Sequence, residues 1–397
     1  MDKGILIVGG GPAGMVAGLL FARAGVPTTV LEKHADFLRD FRGDTVHPST
    51  LDLFDELGLL DRLLELPHDK VSDLSGLVAG RMVRLADFTH LPGRGKFIAM
   101  MPQWHFLNFV AEEARRYPSF TLRMETEATG LIEEQGRIVG ATTNAGDIRA
   151  ALTIAADGRS SILRADAGLP VEDLGAPIDV LWFRVPKERT PDNRTQGNIE
   201  GGEMVVLIDR GDYFQCARVI TKGAADVVLA RGIDAFRREV AAAAPALAPH
   251  IAELASLDDV KLLTVALNRL TQWSRPGLLA IGDAAHAMSP VGGVGINLAV
   301  QDAVAAANIL AGAMAAGRDP DPLLAKVQGR RMFPVKVIQG LQRAIHRNVI
   351  GPAIAGAVKP PLAARILDRV PLLQRIPARV LGLGVRREHI RSPRAPN

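Results

Sequence analysis

The sequence predicts an α/β protein: a parallel-sheet, nucleotide-binding domain interleaved with a mixed β-sheet domain and followed by a C-terminal helical segment. Three observations carry this. The chain opens as strand, glycine turn and helix. Two later strands run into the glycine-acid turns Asp157-Gly158 and Gly282-Asp283. Between those turns, Asp179 to Val185, Met204 to Asp209 and Tyr213 to Ile220 read as strands of a second sheet. With 397 residues the chain has room for two or three domains.

Taken in order, Ile5 to Val8 is a strand, Ala13 to Ala24 a helix and Thr28 to Leu31 a strand ending in Glu32, which together make a βαβ unit. Leu51, Leu53, Phe54, Leu57, Leu60, Leu63 and Leu64 repeat at helical spacing over Thr50 to Leu66. Short strands follow near Gly76 to Leu85 and Lys96 to Met101, then a helix from Gln103 to Arg116. Thr121 to Ala156 reads as a three-stranded meander with turns at Glu134-Gln135-Gly136 and Asn144-Ala145-Gly146, its last strand entering Asp157-Gly158. Alanine-rich helical stretches lie between Ile233 and Leu257. Leu278 to Ile281 is a buried strand entering Gly282-Asp283, and a long helix starts near Gly295. The expected division is 1–70, 102–178 and 268–345 for the nucleotide domain, 71–101 and 179–267 for the mixed sheet, and 346–397 for a basic helical tail.

Composition narrows the classes. With 48% hydrophobic and 23% charged residues the chain is ordinary globular protein, neither disordered nor fibrous. A single cysteine, Cys216, excludes an internal disulfide, a CxxC redox pair and a cysteine-based zinc site, and points to a reducing, cytoplasmic setting. No HxxxH or acid cluster suggests a metal. The net charge of +4 is uneven: Lys359 to Asn397 carries nine Lys/Arg against Asp368 and Glu388. That argues against a nucleic-acid surface spread over the fold. In the tail, Ile366, Leu367, Val370, Leu373 and Ile376 alternate with arginines, an amphipathic segment expected to dock on the body in preference to a membrane. The apolar run Gly4 to Leu20 is broken by glycines, unlike a signal core. Leu298 to Ala316 carries Gln301, Asp302 and Asn308, unlike a spanning helix.

The chemistry sits in the turns. In Gly9-x-Gly11-x-x-Gly14 the first glycine allows the tight turn, the second lets a pyrophosphate approach the backbone, and the third lets helix pack on strand. Glu32, eighteen residues on, can accept ribose hydroxyls. Only one such fingerprint exists, so a second nucleotide domain is missing. Two more glycine-acid turns converging on it fit the larger cofactor FAD better than NAD. On the strand from Tyr213, alternation puts Tyr213, Gln215 and Ala217 on one face and Phe214, Cys216 and Arg218 on the other, and spacing leaves open which face lines a pocket.

With these motifs in place, the sequence resembles the single-component, class A flavoprotein aromatic hydroxylases, the family of para-hydroxybenzoate hydroxylase. The resemblance runs from Gly4 to about Asn308. It rests on the Gly9 turn with Glu32, on Asp157-Gly158-Arg159-Ser160-Ser161-Ile162-Leu163-Arg164 (DGxxSxxR), and on Gly282-Asp283-Ala284-Ala285-His286 continuing through Pro290 to Gly295-Ile296-Asn297. It implies an FAD-binding Rossmann-like domain of glutathione-reductase type beside a substrate-binding sheet. It implies non-covalent FAD held by Gly9, Gly11, Ala13, Gly14, Glu32, Lys33, Arg42, Gln103, Asp157, Arg159, Asp283, Pro290, Gly295, Ile296 and Asn297. Asp283 would bind the ribityl chain, and the amides of Ile296 and Asn297 would meet the flavin pyrimidine, where a helix N-terminus favours the anionic reduced ring.

The implied activity is an FAD-dependent monooxygenase reaction: NADPH or NADH binds transiently and reduces the flavin, O2 adds as a flavin hydroperoxide, and an aromatic or polyketide-like small molecule is hydroxylated. The enzyme would act as a monomer or homodimer. His47 stands where the archetype has an acid, and the ligands of the substrate sheet do not match. His47, Tyr213, Gln215 and Arg184 are therefore candidates for contact with the substrate, and His286 is expected to hold its loop. Lys33, His34 and Arg39 could meet a 2′-phosphate. Trp104, Trp182 and Trp273 are too scattered for the halogenase signature. A reductase of the geranylgeranyl-reductase type and a non-catalytic flavin-binding protein are the alternatives.

Overall fold

The computed structural model describes residues 4–38, 44–78, 81–188, 196–200, 202–356, 366 and 369–395. Two sheets dominate. The first has six strands in the order Ser274–Arg275, Leu278–Ala280, Leu152–Ala155, Ile5–Val8, Thr28–Leu31, Phe120–Arg123, and all but the edge pair Ser274/Leu279 run parallel. Its central strand, Ile5–Val8, is buried along its length, as a strand covered on both faces must be. Helices Pro12–Arg23 and Gly295–Ala315 pack on this sheet, and the largest apolar core lies between them. Gly18 allows the close approach: a side chain there would press on Val30 and Phe120. Gly295–Ala315 is long and apolar enough to cross a bilayer, but it is largely buried in protein and carries the wholly buried Asp302.

The second sheet has seven strands in the order Lys261–Leu263, Ile178–Pro186, Tyr213–Thr221, Glu203–Asp209, Gln196–Glu200, Asp73–Val78, Arg81–Asp87. Register sets its faces. Val180, Val219 and Met204 stand in one row, Trp182, Ala217 and Val206 in the next, and Arg184, Gln215 and Ile208 in the third. This face turns toward the first sheet, where it packs with Met100, Val291, Ile345 and Ile354. The opposite face carries Phe183, Cys216 and Val205 and packs on helix Ile233–Ala243.

Two sequence expectations change. The helix over Thr50 to Leu66 is two helices, Pro48–Glu56 and Leu60–Leu64, separated where Gly58 takes φ +72°. The segment Thr121 to Ala156 contains a meander, Ala128–Glu134, Arg137–Thr143 and Ile148–Arg149, but its flanking strands Phe120–Arg123 and Leu152–Ala155 both join the parallel sheet. The tail beyond Pro371 docks on the body. Helix Arg375–Gly382 lays Ala378 against the cluster of Phe88 and Leu91, leaving Leu372 and Ile376 exposed.

Candidate active site

The site is assembled from the ends of parallel strands. Ile5–Val8 delivers Gly9, whose φ of +111° brings it so close to Ala156 that any side chain would run into the Ala156 carbonyl. A side chain on Gly14 would likewise strike the Gly9 carbonyl, so this glycine sets how near the helix comes to the turn. Beside Gly11 there is open space instead, as there is beside Gly158 and Gly295. A cofactor backbone needs such gaps in order to approach main-chain N–H groups. The Glu32 carboxylate is held in place by the Gly10 amide (3.2 Å) and the His34 amide (3.0 Å).

The second turn places Asp157 over the short helix Ile162–Asp166. Its Oδ2 accepts the Leu163 amide (3.3 Å), while Oδ1 is buried with no hydrogen-bond partner among the described residues. Burial pushes its pKa up, the cost of a carboxylate oxygen still waiting for a donor. The third turn, Gly282-Asp283, sits next to it. Arg159 lies 3.8 Å from Asp283, and Arg164 ties the two turns together by donating to the Ala284 carbonyl (3.2 Å) and the Arg159 carbonyl (2.5 Å). Ala13 packs beneath Gly282. Three segments distant in sequence thus share one cleft, and the orphaned Asp157 oxygen with the open glycine faces fits a dinucleotide cofactor.

Pro290 to Asn297 forms the remaining wall. Gly292 and Gly293 both have positive φ, and the loop feeds the N-terminus of Gly295–Ala315. It is clamped from behind: the Asn297 side-chain oxygen accepts from Ser49 (2.6 Å) and Thr50 (2.9 Å), and Thr45 donates to the Gly293 carbonyl (2.8 Å). His47 is fully buried here. Its Nδ1 donates to the Leu381 carbonyl (2.9 Å), which leaves Nε2 a buried acceptor without a partner among the described residues. Burial pushes its pKa down to about 4, so it is neutral at physiological pH.

The other sequence candidates are spread more widely. Gln103 opens helix Gln103–Ala114, and its backbone amide faces the Asp44 carboxylate. Asp44 forms a buried ion pair with Arg210, which also donates to the Met100 carbonyl (3.3 Å). Gln215 belongs to this group. Its side-chain oxygen accepts from Arg210 Nε (3.2 Å) and Nη2 (3.1 Å), which makes it a strut for Arg210. Arg184 lies over the Tyr213 ring (5.2 Å) on the same face but is exposed. Lys33 is a surface residue 3.7 Å from Glu127. Arg42 and Arg39 lie outside the described residues. Cys216 is buried on the far face, its thiol pKa raised by burial. Sequence reasoning missed Arg164, Ser49 and Thr50 as parts of the site. Arg164 was visible as the last residue of its motif; Ser49 and Thr50 had only their place at a helix start after His47-Pro48.

A family model described as "FAD binding domain" matches residues 2–340. The chain belongs to this FAD-binding family. It is 31% identical over 384 residues to the 6-methylpretetramide 4-monooxygenase of Streptomyces rimosus, covering 95% of this chain and 91% of that one. A more distant relative is the para-nitrophenol 4-monooxygenase of a Pseudomonas strain, 22% identical over 324 residues, or 76% of this chain and 75% of the relative. PqsL of Pseudomonas aeruginosa, described as a probable FAD-dependent monooxygenase, shares the fold with a TM-score of 0.75 at 22% identity, over 89% of this chain and 98% of that one. The protein is an FAD-dependent monooxygenase.

Proposed function

We propose that this enzyme hydroxylates a neutral, largely apolar, polyketide-like aromatic molecule at the expense of NAD(P)H. The observation that carries the substrate class is the inward face of the seven-stranded sheet. Its rows Val180/Val219/Met204 and Trp182/Ala217/Val206 hold no charge, and they meet Val291, Ile345 and Ile354 beside the Pro290 to Asn297 loop. Within those two rows an anionic substrate would lose hydration with no cation to replace it; Arg184, in the next row of the face, lies over the Tyr213 ring instead. The similarity to a monooxygenase named for 6-methylpretetramide supports the same reading.

Bound FAD supplies the redox and oxygen chemistry. Gly9, Gly11, Gly14 and Glu32 would hold its adenosine end, Asp157 and Asp283 its middle, and the amides of Ile296 and Asn297 the flavin pyrimidine. The clamped helix N-terminus would stabilise negative charge on that ring. The apolar sheet face would exclude water from the reacting edge. One oxygen atom of O2 enters the ring, the other leaves as water, and the nicotinamide provides two electrons. We place NAD(P)H transiently at the Asp157-Gly158 turn near Arg159, and the protein itself in the cytosol as a monomer or homodimer.

The test is oxygen uptake and nicotinamide oxidation by the flavin-loaded protein with a panel of neutral polycyclic phenols and of small benzoates. The expected result is stimulation by the former and a product carrying one atom from isotopically labelled O2. Stimulation by benzoates alone overturns the substrate class. A product formed without uptake of O2 overturns the hydroxylation itself.

A further inference from the structure

Asp302 is completely buried in helix Gly295–Ala315 and takes no part in the site just described. One of its oxygens receives the Gly282 amide (3.1 Å) and His286 Nε2 (2.5 Å), both from the turn that carries Asp283. The other receives Arg331 Nε (2.8 Å). Burial alone would raise the Asp302 pKa, but His286 and Arg331 hold it below the usual carboxylate range, so it is ionised. Arg331 continues to Glu388 in the tail (3.5 Å), where Arg330 also binds (2.6 Å), and the Glu388 amide donates to Gln301 (2.5 Å). An unbroken chain of hydrogen bonds and ion pairs therefore runs from the Asp283 turn to the C-terminal residues.

The same tail residues grip the helices that face the cofactor. Arg387 binds Asp52 (2.9 Å), and His389 and the Ile390 amide bind Glu56 (2.5 and 2.7 Å), all on Pro48–Glu56. Asn308 exchanges hydrogen bonds with the His389 carbonyl and the Arg391 amide (2.8 and 2.7 Å). Arg23, at the end of Pro12–Arg23, is bound through the Ser392 carbonyl and the Ala395 amide (3.1 and 2.9 Å). The starts of these helices form the Gly11 turn, the His47/Ser49 clamp and the Ile296/Asn297 wall.

We propose that residues 386–395 are a positioning strap for the flavin, with Glu388 and Arg331 as its central positioning residues. FAD binding and strap docking stabilise one another, and by linkage the effect is the same in both directions. The inference rests on FAD binding and not on the substrate reading, so a negative hydroxylation assay leaves it standing.

The test uses the deflavinated full-length protein, titrated with FAD and followed by flavin fluorescence. Glu388→Gln should weaken FAD binding about tenfold, within the usual range of coupling between sites, and Glu388→Asp, which keeps the charge, should restore most of it. In the wild type, added FAD should slow tryptic cleavage at Arg386, Arg387, Arg391 and Arg394. A folded Glu388→Gln with unchanged FAD affinity overturns the proposal. If that variant does not fold, the wild-type digest decides: cleavage at the strap arginines that ignores FAD overturns it equally.

Discussion

The Arg159 guanidinium stands 3.8 Å from the Asp283 carboxylate, joining two glycine-acid turns that belong to different strands of one sheet. Each side chain is about one-third exposed, so the pair lies at the lip of the cleft and can open toward a ligand. Removing either side chain therefore tests a different part of the dinucleotide chemistry.

Asp283→Ala should lose FAD more severely than His286→Ala. A charge-assisted hydrogen bond to a sugar hydroxyl is worth about 1.5–3 kcal/mol, or roughly one to two orders of magnitude in Kd. His286 touches Asp302 and acts on the fold, so its loss should appear mainly as a lower Tm. Dissociation constants ranked in the opposite order would refute the assignment.

For the nicotinamide, Arg159→Ala should raise KM for NADH and NADPH alike. Lys33→Ala should raise only that for NADPH, by about 1.4- to fivefold, because exposed cations contribute roughly 0.2–1 kcal/mol each. The Glu127 neighbour of Lys33 pushes this toward the low end. Unchanged constants for both dinucleotides in Arg159→Ala would remove the nicotinamide from this turn.

His47 makes stability depend on pH. Its folded pKa of about 4 lies below the ordinary 6.5, so between those values the unfolded chain binds the extra proton. Stability is complete above about pH 6.5 and is lost as pH falls toward 4, by up to about 3 kcal/mol. Asp302, with a depressed carboxylate pKa, adds a further loss at lower pH. Thermal melts at pH 7 and 5 should show a steeper decline for the wild type than for His47→Asn; parallel curves would exclude His47 as the source.

Ala217 lies in the uncharged rows of the inward sheet face. Ala217→Phe should fill that face, raising the substrate KM about tenfold through a packing cost of 1–3 kcal/mol, while FAD affinity stays put. Equal loss of both would mean that the face supports the flavin, not the substrate.

The cofactor turns were legible because their demands are local: a positive φ in the glycine run at Gly9, and at Gly158 and Gly282 with an acid beside each, leaves a signature within a few residues. The parallel order was not. Phe120–Arg123 and Leu152–Ala155 are short apolar runs beside a genuine meander, and nothing in their alternation separates a buried parallel strand from a hairpin strand. The face of Tyr213, Gln215 and Ala217 was one of two open faces until the pairing of Gln215 with Ile208 and of Ala217 with Trp182 aimed it inward. The Arg210–Asp44 pair and the contacts of Glu388 join residues far apart in sequence, and charge patterning along the chain carries no record of such partners.

Oxygenases of this kind discharge part of their oxygen as hydrogen peroxide whenever water reaches the flavin, and a thiolate nearby would be the first casualty. Cys216 points away from the cleft, beneath helix Ile233–Ala243, with a pKa raised by burial, so almost none of it is in the reactive form. The one sulfhydryl in the chain is thus shielded from the enzyme's own side product, and misfired turnovers should inactivate it through the flavin site or the methionines before they oxidise its cysteine.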